Sequence, residues 1–180
     1  MMEQTIAVFG ASRSKPGDGH YESAVQCGEL LAGAGFAVAT GGYAGAMEAV
    51  SMGARLAGGN VIGVTAPTVF LDRSKANDHV TVETPATSLV DRIGILADGT
   101  DGSIALWGSL GTAAELIVAW NLAYVAPLAG QAPKPVIAVG EPWLSLVPHM
   151  ESELTTTPRL VTVVADVETA VAEMVSQLAQ

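Results

Sequence analysis

Short apolar runs that carry no charge and stop at glycine recur along this chain, each followed by a stretch with helical spacing. Thr5–Phe9 ends at Gly10, and Phe36–Thr40 ends at Gly41-Gly42. Asn60–Thr65 follows Gly58-Gly59. A strand that is apolar on both faces must be covered on both faces, which is the condition of a parallel sheet between two helical layers. Between the runs, Tyr21 to about Ala32 repeats apolar residues at Ala24, Cys27, Leu30 and Leu31, and Ala46–Ala57 forms the next helical segment. Further on, His79–Thr84 reads as a strand and Ser88–Ala97 as a helix with Ser88 at its N-cap. Strands are then expected at Ser103–Leu106, Pro135–Val139 and Leu160–Ala165, and helices at Thr112 to about Val125 and Val167–Leu178. The pattern predicts one α/β domain over residues 1–180, a doubly wound, mostly parallel sheet with helices on both faces.

Charge narrows the partners. Eight Lys+Arg against 18 Asp+Glu give a net charge of −10 over 180 residues. Such a chain repels phosphate backbones and anionic lipid, so neither nucleic acid nor a membrane surface is an expected partner. The start, Met1-Met2-Glu3-Gln4, has no basic segment before its first apolar run, so a soluble, cytoplasmic chain is expected. Leu116–Pro133 is a long uncharged stretch, but Asn121, Pro127, Gly130 and Gln131 interrupt it. A bilayer span needs about 20 mostly apolar residues, so a buried helix is expected there. The single cysteine, Cys27, and the histidines 20, 79 and 149 show no metal-ligand spacing. No metal or cofactor is expected.

Open α/β sheets bind ligands beyond the carboxyl ends of their strands. Three glycine-rich loops fall there: Gly10-Ala11-Ser12-Arg13, Gly41-Gly42-Tyr43-Ala44-Gly45 and Gly108-Ser109-Leu110-Gly111-Thr112. Glycine lets backbone approach a ligand, and the unpaired N–H groups of a helix's first turn favour an anion. None of the three is a G-x-G-x-x-G fingerprint or a Gly-Lys-Ser/Thr phosphate loop. Together they point to an anionic ligand, with a nucleotide phosphate at the third loop. Two charged residues stand beside them. Glu115 follows Thr112 at capping-box spacing, so it is either a helix cap or a carboxylate one turn from a bound phosphate. Arg92, next to Asp91, is by base rate a solvated arginine. Met47, Met52 and Trp120 read as core.

Thr40-Gly-Gly-Tyr-Ala-Gly-Ala-Met-Glu-Ala49 and Gly58-Gly-Asn-Val-Ile-Gly-Val-Thr65 resemble the G-G-x-x-G-x-M segment of the LOG (Lonely Guy) proteins, once labelled lysine decarboxylase-like. Asp91-Arg-Ile and Trp107-Gly-Ser-Leu-Gly-Thr-Ala-Ala-Glu115 resemble their second signature, R-K followed by P-G-G-x-G-T-x-x-E. The resemblance runs from Ile6 to about Val139. It implies a Rossmann-like fold, shared with molybdenum-cofactor carriers, and a homodimer or larger homo-oligomer with its site near the subunit interface.

The implied activity is phosphoribohydrolase, which cuts a nucleoside 5′-monophosphate, of AMP or cytokinin riboside type, into free base and ribose 5-phosphate. The resemblance places the catalytic pair on Arg92 and Glu115. It places phosphate or nucleotide binding on Gly10, Ser12, Gly41, Gly42, Gly45, Met47, Gly108, Ser109, Gly111 and Thr112. Four positions depart from the family pattern: Trp107 and Ser109 flank Gly108 in place of Pro-Gly-Gly, Ile93 stands for the lysine, and Glu48 for a glycine. These departures favour, as the alternative, a carrier or sensor that binds a nucleotide or molybdenum cofactor without hydrolysis. A pyridoxal-phosphate decarboxylase is the weakest reading, because Lys15, Lys75 and Lys134 all fall in loops.

Overall fold

The computed structural model describes residues 3–72 and 75–179. Seven strands, β1 (Thr5–Phe9), β2 (Ala37–Thr40), β3 (Val61–Thr65), β4 (Val82–Pro85), β5 (Gly102–Ala105), β6 (Val136–Val139) and β7 (Val161–Val164), form one sheet in the order β4-β3-β2-β1-β5-β6-β7. Every pairing among the described residues is parallel. The sheet is therefore doubly wound in the Rossmann manner, and the chain reverses its winding between β1 and β5.

Alternation along β1 shows why both faces need cover. Ile6 and Val8 enter one core and Ala7 and Phe9 the other, all four with almost no exposure. Helices α1 (Gly19–Gly33), α2 (Ala46–Leu56) and α6 (Val167–Leu178) close the first core through Leu31, Val50 and Met174. Helices α3 (Leu89–Asp98), α4 (Leu110–Val125) and α5 (Trp143–Glu153) close the second through Leu96, Trp120 and Val147. A 3-10 turn, Ala126–Ala129, extends α4.

The segment Leu110–Ala129 is 20 residues long and apolar enough to cross a membrane by length and composition alone. Here Leu116, Ala119, Trp120 and Ala123 lie against the sheet, as a covering helix of this fold requires.

The structure departs from the sequence-based expectations at three elements. The sequence pattern assigns no element between Val139 and Leu160, and the structure places α5 there at Trp143–Glu153, with Pro148 inside it. Trp143 and Val147, one turn apart, are its buried pair, and the Trp143 indole N–H donates to the Leu106 carbonyl at 2.8 Å. The fourth strand is Val82–Pro85 rather than His79–Thr84. Helix α4 begins at Leu110 rather than Thr112, with Ser109 at the N-cap. Thr112 is thus inside the first turn, and the Thr112–Glu115 capping box does not form.

Helices α1 and α2 approach closely enough to exclude side chains. A Cβ on Gly53 would lie 1.9 Å from the Val25 carbonyl oxygen, and one on Gly28 would lie 2.1 Å from that of Val50. Both obstacles are backbone, so neither can rotate away. Gly53→Ala should push the helices apart and lower stability by about 2 kcal/mol or more, in the range of core overpacking. Thermal unfolding should show a Tm several degrees below wild type; an unchanged or higher Tm would contradict this packing.

Candidate active site

A cavity of about 250 Å³ opens at the carboxyl ends of β1 and β2, between the N-terminal parts of α3 and α4. Its position follows from the reversal of winding beside β1, where the loops after neighbouring strands leave toward opposite faces. Three of the buried polar residues among those described meet in its wall: Arg92, Thr112 and Glu115.

The start of α3 sets Arg92 in place. Ser88 caps the helix by accepting from the Asp91 N–H at 3.1 Å. The Asp91 carboxylate accepts from the N–H and hydroxyl of Thr87, both at 2.7 Å, and these bonds hold it below the usual carboxylate range. One residue on, Arg92 is only 6% exposed rather than solvated. Its Nε donates to the Val64 carbonyl and its Nη2 to the Gly41 carbonyl, each at 2.8 Å. Nη2 also lies 3.5 Å from the Met47 sulfur. The rings of Tyr43 and Phe70 flank the guanidinium at 5.7 and 6.0 Å. Its Nη1 stands 3.6 Å from Glu115 Oε1.

Glu115 is 9% exposed. Burial pushes its carboxyl up to about 7, while the nearby guanidinium pulls in the opposite direction. It sits one helical turn beyond Thr112. At that end of α4 the Ser109 side chain makes no capping bond. The N–H groups of Leu110, Gly111 and Thr112 precede the first residue that can bond within the helix, Ala113, whose N–H reaches the Ser109 carbonyl at 3.0 Å. The helix thus opens toward the cavity with a set of donors and the positive end of its dipole.

Of the residues singled out from the sequence, Gly10, Ser12, Gly41, Met47, Arg92, Ser109, Gly111, Thr112 and Glu115 line the cavity together. Gly42, Gly45 and Gly108 do not. Gly42 and Gly45 both hold φ of +76°, a turn geometry that side chains resist. A Cβ on Gly108 would lie 2.1 Å from Thr112 Oγ1. Gly41 has a steric duty besides its place in the wall, because a Cβ there would overlap Arg92 Nη2.

The departures from the family pattern also find their places. Ser109 has φ of −108°, so it replaces glycine without strain. Ile93 lines the cavity where a cation was missing. Trp107 lies outside the wall, stacked on His20 with ring centroids 4.4 Å apart and planes within 5°. Sequence reading missed Tyr43, Phe70 and Leu89, which complete the apolar side of the cavity. Tyr43 was in view inside a glycine loop, whereas Phe70 and Leu89 sit in or next to a stretch with no periodicity to mark them.

Fold and site together define a LOG-like α/β protein with a part-polar pocket at its switch point. The chain belongs to the SLOG cluster4 family, whose model matches residues 3–171. It is 35% identical over 141 residues to the cytokinin riboside 5′-monophosphate phosphoribohydrolase of Mycobacterium tuberculosis, covering 77% of this chain and 71% of that protein. Among solved structures it resembles the molybdenum cofactor carrier protein of Chlamydomonas reinhardtii, with TM-score 0.76, 27% identity and 99% of each chain covered. The molybdenum cofactor binding protein of Rippkaea orientalis is similar too, with TM-score 0.79, 25% identity, and coverage of 100% of this chain and 99% of that one.

The Glu115 environment has a measurable consequence for stability. At pH well below 4.5, its ordinary value, the carboxyl is neutral in folded and unfolded chains alike. As pH rises toward about 7, the unfolded chain ionises first and the folded one resists, so the stability linked to this proton is lost across that window. Glu115→Gln cannot ionise. Its Tm relative to wild type should therefore climb between pH 5 and pH 8, by an amount corresponding to at most about 3 kcal/mol. A difference that stays flat across that range would remove the burial penalty from this site.

Proposed function

We propose that this chain hydrolyses the N-glycosidic bond of a nucleoside 5′-monophosphate, giving the free base and ribose 5-phosphate. The observation that carries the proposal is the buried Arg92–Glu115 pair, one turn inside an uncapped helix N-terminus. The printed activity of the 35% identical mycobacterial relative supports it.

In this reading the phosphate lies at the N-terminus of α4, held by the N–H groups of Gly111 and Thr112 and by the hydroxyls of Ser12 and Ser109. Gly10 leaves room beside it, and Gly41, Gly42, Gly45 and Gly108 shape the loops around it. Met47 closes the wall behind Arg92. Contact donors of this kind outweigh the diffuse repulsion of an acidic chain because they act at short range.

Cleavage breaks the bond between C1′ and the base nitrogen, and the electron pair leaves with the base. Positive charge builds on the ribose ring, where an ionised Glu115 stabilises it. Water then adds to C1′ while Glu115 accepts its proton. The base gains a proton from solvent. Arg92 stays charged throughout; with Nε and Nη2 committed to backbone carbonyls, it holds Glu115 in position and favours its ionised form. No metal, cofactor or redox partner enters this sequence of steps. With this reading we propose a cytoplasmic location, since a charged phosphorylated substrate does not cross a membrane unaided.

The first test incubates purified protein with AMP and other nucleoside monophosphates and separates free base by chromatography. Glu115→Gln should lower base release at least a hundredfold while AMP still binds. The acid limb of kcat/KM should fall with decreasing pH below about 7, since the ionised carboxylate is the working form. Release that is unchanged in the variant would remove Glu115 from the mechanism.

A second reading, a non-hydrolytic carrier or sensor, has its own support. The end-to-end match to the two molybdenum-cofactor proteins covers nearly all of both chains, further than the mycobacterial enzyme does. Tight nucleotide binding without any base released would favour it.

We further propose that the chain forms a homodimer or larger homo-oligomer through the outer side of α4 and its extension. Leu110 and Leu128 are 85% and 86% exposed, Ile117 and Tyr124 are partly so, and Glu115 is the helix's lone charge. Light scattering at micromolar concentration should report a dimer or more; a monomer alone would overturn this.

A further inference from the structure

The cavity has a direction. Contacts run from the open N-terminus of α4 to Glu115, from Glu115 to Arg92, and from Arg92 to an aromatic pair, Tyr43 and Phe70. The polar end holds hydroxyls and helix N–H groups. The apolar lining includes Phe70, Leu89, Ile93 and Met47, with Phe70 beside the Arg92 guanidinium.

The aromatic pair is built rather than incidental. The Tyr43 hydroxyl accepts from the Ala66 N–H at 2.8 Å, which fixes the start of the segment after β3. From there a turn closes, with the N–H groups of Val69 and Phe70 both reaching the Ala66 carbonyl at 3.0 Å. Phe70 is thereby brought edge-to-face against Tyr43, with centroids 5.5 Å apart and planes at 77°. Tyr43 is buried, while Phe70 is only half-buried and reaches the cavity.

We propose that Phe70 is the residue that contacts the leaving base and sets the site's preference for an aromatic leaving group, with Tyr43 as its positioning residue. The inference rests on the reading of the site as one for a nucleoside monophosphate. With phosphate at α4 and the ribose carbon at Glu115, the base comes to lie at the Phe70 end. A planar base gains from stacking on an aromatic side chain whatever its hydrogen-bonding edge, and removing such a ring typically weakens binding several-fold to a hundredfold. Purine monophosphates, with the larger ring system, are then held more firmly than pyrimidine ones.

The experiment titrates AMP and ribose 5-phosphate by calorimetry against the Glu115→Gln protein, which keeps AMP intact. The same titrations are run with Phe70→Leu, Phe70→Ala and Phe70→Tyr added. Phe70→Leu and Phe70→Ala should weaken AMP about tenfold or more and leave ribose 5-phosphate within about twofold. Phe70→Tyr, which keeps the ring, should hold AMP within about threefold.

Equal weakening of both ligands would make Phe70 merely structural, and unchanged AMP binding in Phe70→Leu would remove it from the base contact. Either result overturns the proposal. AMP that binds but is never cleaved by the wild-type protein overturns the hydrolase alone, and the Phe70 titrations still decide this inference. A protein that binds no AMP at all overturns both.

Discussion

The site depends on one buried guanidinium. In a parallel sheet the carbonyls at the carboxyl ends of strands run out of ladder partners, and two of them, Gly41 after β2 and Val64 in β3, point their need toward α3. Arg92 meets both, and its remaining charge faces Glu115 on α4. Three elements from distant parts of the chain are thus tied through one side chain. A buried cation is tolerated only when its donors are satisfied and its charge is answered. Removing Glu115 leaves the charge unanswered, and adding a Cβ at Gly41 takes away the space the guanidinium occupies.

That dependence changes what the glycines mean. Read along the chain, three glycine loops at one sheet edge look like three ligand-binding loops. In the fold they divide. Gly41 accommodates Arg92, Gly42 and Gly45 supply positive φ, and Gly108 accommodates Thr112. Only part of the second loop reaches the cavity wall, which leaves the α4 N-terminus as the principal source of anion donors. A glycine next to a ligand site is often there for the side chain that serves the ligand, not for the ligand itself.

Elements with strong patterns were legible: continuous apolar strands, glycine stops, and the Arg92 and Glu115 positions through their flanking motifs. What escaped notice lacked local signal. Helix α5 buries only Trp143 and Val147 and contains Pro148, so its stripe is narrow and its interior carries a helix breaker. The start of α4 was misplaced because Thr112-x-x-Glu115 has capping-box spacing, although in the fold Glu115 turns to Arg92 instead. Phe70 belongs to an irregular stretch, and it is brought to the cavity by contacts between segments far apart in sequence, among them the hydrogen bond from Ala66 to Tyr43 and the edge-to-face contact with the Tyr43 ring. Trp107, conspicuous in the sequence, finds its partner in His20 at the start of α1.

The balance between enzyme and carrier comes down to the carboxylate. In a protein that only holds a nucleotide or cofactor, Glu115 serves as the counter-charge to Arg92, at the cost of a group whose ionisation burial opposes and which repels the ligand's phosphate. Under the proposed hydrolase reading the group has a further use, because burial pushes it up to about 7, close to working pH, while the adjacent Arg92 favours its charged form. Nor is Glu115 retained here as a helix cap, because Ser109 stands at that position and Glu115 lies more than a turn beyond it. Glu115 thus answers the buried charge of Arg92, and under the proposed hydrolase reading the same carboxylate also serves the chemistry at the ribose. The altered Trp107 and Ser109 do not weigh against this. Trp107 is stacked away from the cavity wall, and Ser109 keeps an unstrained backbone while adding a hydroxyl where the phosphate is proposed to lie.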